Sequence, residues 1–359
     1  MELTREEKPK LILLTGAGFS AGFGFPITAE LMELIKKPCE KPVSHCPGNM
    51  RYGYDSLPLK DFFSGDRPYD NFEYLLTVWN GYRIQLSQGN PVEAKKHEAM
   101  YHAMIKHLCC HFYSYCDAIQ DNEEYRHEFI LIAEWLSRAT KTFDVRILTF
   151  NYDIVWERIC EEAKIRYRYK IDDQSIGVMI RKLHGSMNWF EVEADPGNAQ
   201  VSPREVIHEN QGKLICAYEG TTWPIYPSYR TNSDHPPMIA PSASKEYGTV
   251  FKDVWDDALK DLQTAHRVLV IGYSFPHLDA FAQHRLVPAL FFRQEKKQIP
   301  VDYVLPDGND LTRVKALLQS NRIDVEYHPH KWQINDFNRI LEPHAQPLLD
   351  VAGKRDSLM

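Results

Sequence analysis

The sequence predicts an α/β protein built on a doubly wound parallel sheet, from three observations. LILLT (11–15) is apolar until its last residue, and strand-like runs recur as VRILTF (145–150), RKLHG (181–185), RVLVIG (267–272) and VDYVL (301–305), with DVEY (324–327) as a sixth candidate. A strand buried on both faces reads as such a run rather than as an alternation. Helical patterns follow several of them: DIVWERICEEA after the second, LDAFAQHRLVPALFF after the fourth and NDLTRVKALLQ after the fifth. Strand–helix alternation folds as a sheet with right-handed crossovers. Finally, glycines crowd the end of the first run in GAGFSAGFGFP, as in a Rossmann-like βα turn.

Two stretches interrupt the alternation. Residues 38–144 contain NFEYLLTVWNGYRIQL, EAKKHEAMYHAMIKHLCCHFYSYCDAI and EEYRHEFILIAEWLSRA, with apolar residues at three- and four-residue spacing. They read as a mostly helical insertion. Residues 190–245 carry Pro196, Pro203, Pro224, Pro227, Pro236, Pro237 and Pro241, which predicts a small irregular module or lid. Residues 246–330 complete the second half of the core, so the expectation is a single domain over 1–359 with these elaborations.

Composition narrows the function classes. The formal charge of −7 gives general nucleic-acid binding no support. No apolar run approaches the roughly 20 residues of a membrane helix, and MELTREEKPK lacks a signal-peptide apolar region. A cytoplasmic location is the default expectation. The seven cysteines, Cys39, Cys46, Cys109, Cys110, Cys116, Cys160 and Cys216, include no Cys-x-x-Cys pair. Reduced thiols are expected rather than disulfides or zinc. His97-Glu98 opens like H-E-x-x-H, but Tyr101 stands at the closing position and His102 comes one place late, so no metal is assigned.

The site candidates gather at predicted strand ends, where ligands of open α/β sheets collect. After the first strand, Gly16, Ala17 and Gly18 allow a tight turn and a close approach to phosphate, and Ala21 takes the third place of G-x-G-x-x-G/A. Ser20 offers a hydroxyl donor, Gly24 and Pro26 continue the loop, and a helix starting near Ile27 or Thr28 can aim its positive end at phosphates. No Gly-Lys-Ser/Thr follows, which excludes a kinase-type P-loop. No acidic residue ends a recognisable second strand about 20 residues on, against a standard dehydrogenase. TFNYD supplies Asn151, an amide donor and acceptor, and Asp153, which either joins the site or caps the next helix. LHGS supplies His184, a base near neutral pH. IGYSF offers Gly272 and Ser274 to a ribose or phosphate. Asp307, in Pro306-Asp307-Gly308-Asn309, either closes over a nucleobase or simply turns.

Taken in order, GAGFSAGFGFP, TFNYD, LHGS and IGYSF resemble the sirtuin superfamily across most of the α/β core. The resemblance implies NAD as substrate. It implies pyrophosphate on Gly16, Ala17, Gly18 and Ser20, nicotinamide beside Asn151 and Asp153, the N-ribose at His184, and adenosine near Gly272 and Ser274. Deacylating sirtuins follow Gly-x-Pro with Asp-Phe-Arg and carry two Cys-x-x-Cys zinc pairs after the histidine. Here Ile27-Thr28-Ala29 follows Phe25-Pro26, and Cys216 alone lies beyond His184. GFPITAELMELI, NFEYLLTVW and MIAPSASKEY look like the bacterial sirtuin-like branch of antiphage systems. That likeness implies NAD hydrolysis without zinc, homo-oligomerisation, and a partner such as a HerA-type ATPase. A deacylase or ADP-ribosyltransferase, and a non-catalytic NAD- or ADP-ribose-binding subunit, are the alternatives.

Overall fold

The computed structural model describes residues 8–35, 85–86, 88–170, 177–193, 205–210, 213–217, 238, 249–277, 279–296 and 299–341. Its strands are β1 (Lys10–Thr15), β2 (Asp144–Thr149), β3 (Tyr167–Arg168), β4 (Val178–Lys182), β5 (Trp189–Glu193), β6 (Glu205–Asn210), β7 (Lys213–Ala217), β8 (Arg267–Ile271), β9 (Val301–Val304) and β10 (Glu326–His328). The helices are α1 (Ala17–Ala21), α2 (Leu31–Ile35), α3 (Pro91–Asp121), α4 (Glu123–Thr142), α5 (Val155–Glu162), α6 (Thr249–Gln263), α7 (Ala280–Lys296), α8 (Asn309–Ser320) and α9 (Ile334–Leu341).

Seven strands form one sheet in the order β10-β9-β8-β1-β2-β4-β3, and every pairing within it is parallel. This is the expected α/β, Rossmann-like architecture. The apolar runs explain it: β2 is buried at every position, as are β4, β8 and β9, leaving water no face to reach. The chain leaves β1 towards β2 on one side and returns to β8 on the other. A crevice therefore opens at the carboxyl ends where the order reverses. Register sets those ends level: Thr15 pairs with Thr149 and Ile271, and Thr149 with Lys182.

Two boundaries differ from expectation. The fourth strand stops at Lys182, so Leu183, His184 and Gly185 form a turn rather than strand. Gly185 adopts φ 83° and its N–H returns to the Lys182 carbonyl at 3.1 Å, ending the ladder. The last strand falls at 326–328 rather than 324–327. The two-residue edge strand β3 was not foreseen.

Within 38–144, the described part contains α3 and α4. Asn90 caps α3 by accepting from Glu93 N, with Pro91 at the first helical position. Asn122 ends α3 and caps α4 through Tyr125 N. The helix expected at 71–86 lies outside the described residues except at its last two positions. Within 190–245, β5, β7 and β6 form a three-stranded antiparallel sheet; most of the remainder lies outside the described residues. No helix of the described residues is long and apolar enough to cross a membrane.

Cys116, on the buried side of α3, shows how tightly this layer packs. Burial pushes its thiol from the ordinary 9.0 up to about 12, partly opposed by Arg158. The unfolded thiol ionises first, so folding stability falls as pH rises through that window, by up to about 1.4 kcal/mol per pH unit. Denaturant titrations at about pH 8 and about pH 10 are expected to show this loss, and Cys116→Ala to reduce it.

Candidate functional site

The first turn is built by glycines that let backbones touch. Gly16 N–H donates to the Ile271 carbonyl at 3.0 Å, and Gly18 N–H to the Gly272 carbonyl at 3.0 Å. A Cβ at Gly18 would meet Gly272 Cα at 2.7 Å, and one at Gly272 would meet Gly18 Cα at 2.5 Å. Gly272 also sits at φ 62°, where a side chain is strained. The pair is a backbone clasp between β1 and β8, so these two amides are spent on the fold. Gly272→Ala is expected to cost about 2–4 kcal/mol from left-handed strain plus overpacking, measurable by chemical denaturation. Gly24, at φ 82°, leaves room for the Tyr125 ring, and Gly22 for Trp332. Phe19 anchors the turn from below, stacked on Trp156 at 4.5 Å, with its carbonyl taking Trp332 Nε1–H at 2.9 Å.

The helix expected near Ile27 begins as a short turn with its N-cap at Ile27. A 3₁₀ turn spans Thr28–Glu30, and Glu30 Oε2 accepts the Ile27 N–H at 3.0 Å.

Asn151, Ser20 and Asp153 form one buried network. Asn151 Nδ2 donates to the Gly16 carbonyl at 3.0 Å and to Ser20 Oγ at 2.8 Å. Because a carbonyl only accepts, this contact fixes which way the amide faces. Among the described residues Oδ1 receives no hydrogen bond, so Asn151 offers the cleft an acceptor. Ser20 Oγ donates its hydrogen bond to Asp153 Oδ2 at 2.7 Å. Its hydroxyl is therefore committed inward rather than offered to phosphate. Asp153 Oδ1 accepts the Val155 N–H at 3.0 Å from the position before the N-cap Ile154, so Asp153 holds the start of α5 and borders the cleft at once. Behind it, Lys182 Nζ donates to the Asp153 carbonyl and pairs with buried Glu157 at 3.0 Å. Glu157 also takes the Tyr169 hydroxyl at 2.8 Å; burial first, then this carboxylate, holds that phenol well above its usual range.

His184 lies across the cleft. Its Nε2 is 3.2 Å from Asp279 Oδ2, which also accepts the Tyr273 hydroxyl at 3.1 Å. The ring meets Phe150 edge-on at 4.9 Å, and Phe150 stacks on Tyr273 at 3.9 Å. Asp279 and Tyr273 were missed from sequence. Asp279 stands just before α7 in Pro276-His277-Leu278-Asp279, where it reads as a helix-start residue. Phe275, fully buried at φ 48°, holds a sparsely populated backbone state. Gln283 Nε2 donates to its carbonyl at 2.9 Å, and Arg313 spans the Phe275 and Ser274 carbonyls. These bonds pin the segment carrying Ser274 and Asp279.

One cleft is bordered by Ala17, Ser20, Pro26, Asn151, Asp153, His184, Gly272 and Ser274. Gly16 and Gly18 support its wall from behind, and Gly24 packs outward on Tyr125. Asp307 is exposed beyond the β9 end, where its carboxylate accepts Gly308 N–H at 2.9 Å; it does not border this cleft. His107 and His111, ring nitrogens 3.2 Å apart, lie on α3. The cluster Asp302, Glu326 and His328 spans β9 and β10. Arg267 pairs with Asp302 at 3.0 Å, and Arg339 Nη1 lies 2.7 Å from His328 Nδ1, so Asp302 and His328 already have partners of their own.

No protein-family model matches the chain, and no curated protein matches its sequence. Among solved structures it is similar to a serine-to-alanine mutant of a Sir2 homologue in complex with ADP-ribose. That identity is 16%, over 89% of this chain and 94% of the other, with a TM-score of 0.31. It is also similar to Sir2 in complex with an inhibitor, 2′-O-acetyl-ADP-ribose and a deacetylated p53 peptide. There the identity is 10%, over 94% of each chain, with a TM-score of 0.34. Likenesses this distant establish no activity for this chain; its architecture stands on its own sheet.

Proposed function

We propose that the chain is an NAD⁺ glycohydrolase, cleaving NAD to nicotinamide and ADP-ribose. The observation that supports this best is the single cleft at the strand ends that joins Asn151, Asp153 and His184 with Ala17 and Ser274. The order of motifs suggests pyrophosphate near Ala17, nicotinamide near Asn151 and Asp153, and the N-ribose at His184. As the N-glycosidic bond breaks, its electron pair leaves with neutral nicotinamide and an oxocarbenium-like ribose remains. Water adds to that carbon, and its proton passes to His184 and then to solvent. Asn151 Oδ1 accepts a hydrogen from the water or the carboxamide. Proximity and exclusion of other nucleophiles supply the remaining rate.

Water is favoured over an acyl-lysine peptide as acceptor because Ile27-Thr28-Ala29 follows Phe25-Pro26 and Cys216 alone lies beyond His184. The resemblance of GFPITAELMELI extends the proposal to NAD depletion in antiphage defence, triggered by self-association or a partner such as a HerA-type ATPase.

Purified protein is incubated with NAD alone, with an acetyl-lysine peptide, and with candidate partners, then analysed by chromatography. Equal nicotinamide and ADP-ribose without peptide is the expected result. Turnover only with peptide indicates a deacylase, and a labelled acceptor indicates a transferase. NAD binding without nicotinamide release in every arm indicates a binding subunit.

A further inference from the structure

We propose that Asp279 is a positioning residue that fixes His184 as its Nε2–H tautomer, so that Nδ1 is the nitrogen carrying the lone pair. The proton assignment stands on geometry alone; its catalytic consequence rests on the NAD-hydrolysis reading.

Two groups converge on one oxygen. His184 Nε2 lies 3.2 Å from Asp279 Oδ2, within ion-pair distance, and the Tyr273 hydroxyl donates to the same oxygen at 3.1 Å. An ionised carboxylate only accepts, and an imidazole lone pair turned towards it at this distance would be repelled. Nε2 therefore bears hydrogen. In the neutral imidazole the other nitrogen then holds the lone pair.

The arrangement is held from several sides. Asp279 is 1% exposed. Its N–H donates to the Pro276 carbonyl at 2.9 Å, and its carbonyl receives Gln283 N–H at 3.1 Å in the first turn of α7. Phe150 packs edge-on against the His184 ring and face-on against Tyr273. Tyr152 lies over the imidazole with ring centroids 6.2 Å apart. Tyr303 donates its hydroxyl to the Tyr273 carbonyl. A 180° flip of the His184 ring would set Cε1 in place of Nε2 against Asp279 and lose that contact. A second group orienting a histidine by claiming one ring nitrogen is the device that fixes tautomers elsewhere in catalysis and in metal ligation.

The test is ¹⁵N NMR of the full chain, with the His184 signals identified among the 15 histidines by comparison with His184→Gln. Expected is a ring protonated on Nε2 alone at mildly alkaline pH. A ring protonated on Nδ1, singly or doubly, overturns the assignment. The signals are read from wild-type protein, and sequential resonance assignment identifies His184 should His184→Gln fail to fold, so the reading stands whether or not NAD is cleaved. Nε2–H in a chain that never releases nicotinamide supports the assignment while rejecting the hydrolase reading. In the active protein, Asp279→Asn is expected to lower kcat by about 10²–10⁴-fold with KM for NAD within about threefold, whereas Tyr273→Phe costs less than about tenfold. A raised KM with kcat retained overturns the positioning role.

Discussion

His184→Ala is expected to lower nicotinamide release by about 10²–10⁴-fold, the range that positioned proton transfer contributes, while NAD binding stays within about threefold. His184 is 6% exposed and borders the cleft, where Phe150, Tyr152 and Asp279 contact its ring. The backbone turn does not depend on the side chain, because Gly185 N–H closes onto the Lys182 carbonyl and Trp255 Nε1–H holds the Leu183 carbonyl at 3.0 Å. Truncation therefore removes a base and leaves the cleft standing. Asp279 is left buried beside one fewer donor, which is expected to cost about 1–3 kcal/mol of stability. Turnover near wild type would show that proton transfer occurs elsewhere.

Asn151 is expected to be as important to turnover and more important to the fold. Asn151→Ala removes both Nδ2 bonds and the Oδ1 acceptor in one step. It takes the donor from Ser20 Oγ and one of two donors from the Gly16 carbonyl, which keeps the Phe19 N–H at 2.9 Å. Nicotinamide release is expected to fall by about 10²–10³-fold, as when one positioned polar group is lost from a reacting centre, and stability by about 1–3 kcal/mol. Asn151→Asp sharpens the prediction because it keeps the shape. A carboxylate cannot donate, so it sets oxygen against the Gly16 carbonyl and adds charge beside Asp153. The isosteric change is therefore expected to destabilise more than alanine and to be equally inactive. A stable, active Asn151→Asp would contradict the amide orientation.

The strands were legible because burial on both faces leaves apolar-rich runs; Asn151 and Asp153 come just after such a run, whereas His184 comes after one that ends in the buried charges Arg181 and Lys182. What escaped was whatever depends on another element. The stop at Lys182 rather than Gly185 is set by a turn hydrogen bond, which apolar content does not report. Gly16 and Gly18 read as phosphate-facing, yet their amides are claimed by β8 carbonyls; one strand's turn gives no sign of how closely a distant strand approaches. Ser20 reads as a donor, but only the position of Asp153 shows where its proton goes. Lys182 was passed over inside a strand, although a lysine amid buried residues signals a partner, here Glu157. Asp279 had a polar-after-strand signal, masked by its equally good reading as a helix-start residue.

The central claim is that this cleft binds NAD and that Asn151 and His184 cleave it. It is tested most directly by measuring NAD binding and nicotinamide release side by side for wild type, His184→Ala and Asn151→Ala, with any required partner present in all three. The account predicts comparable NAD binding in folded wild type and His184→Ala, one nicotinamide and one ADP-ribose per NAD consumed by wild type, and near-background release by both variants. Binding without release in wild type, or undiminished release in either variant, would contradict it.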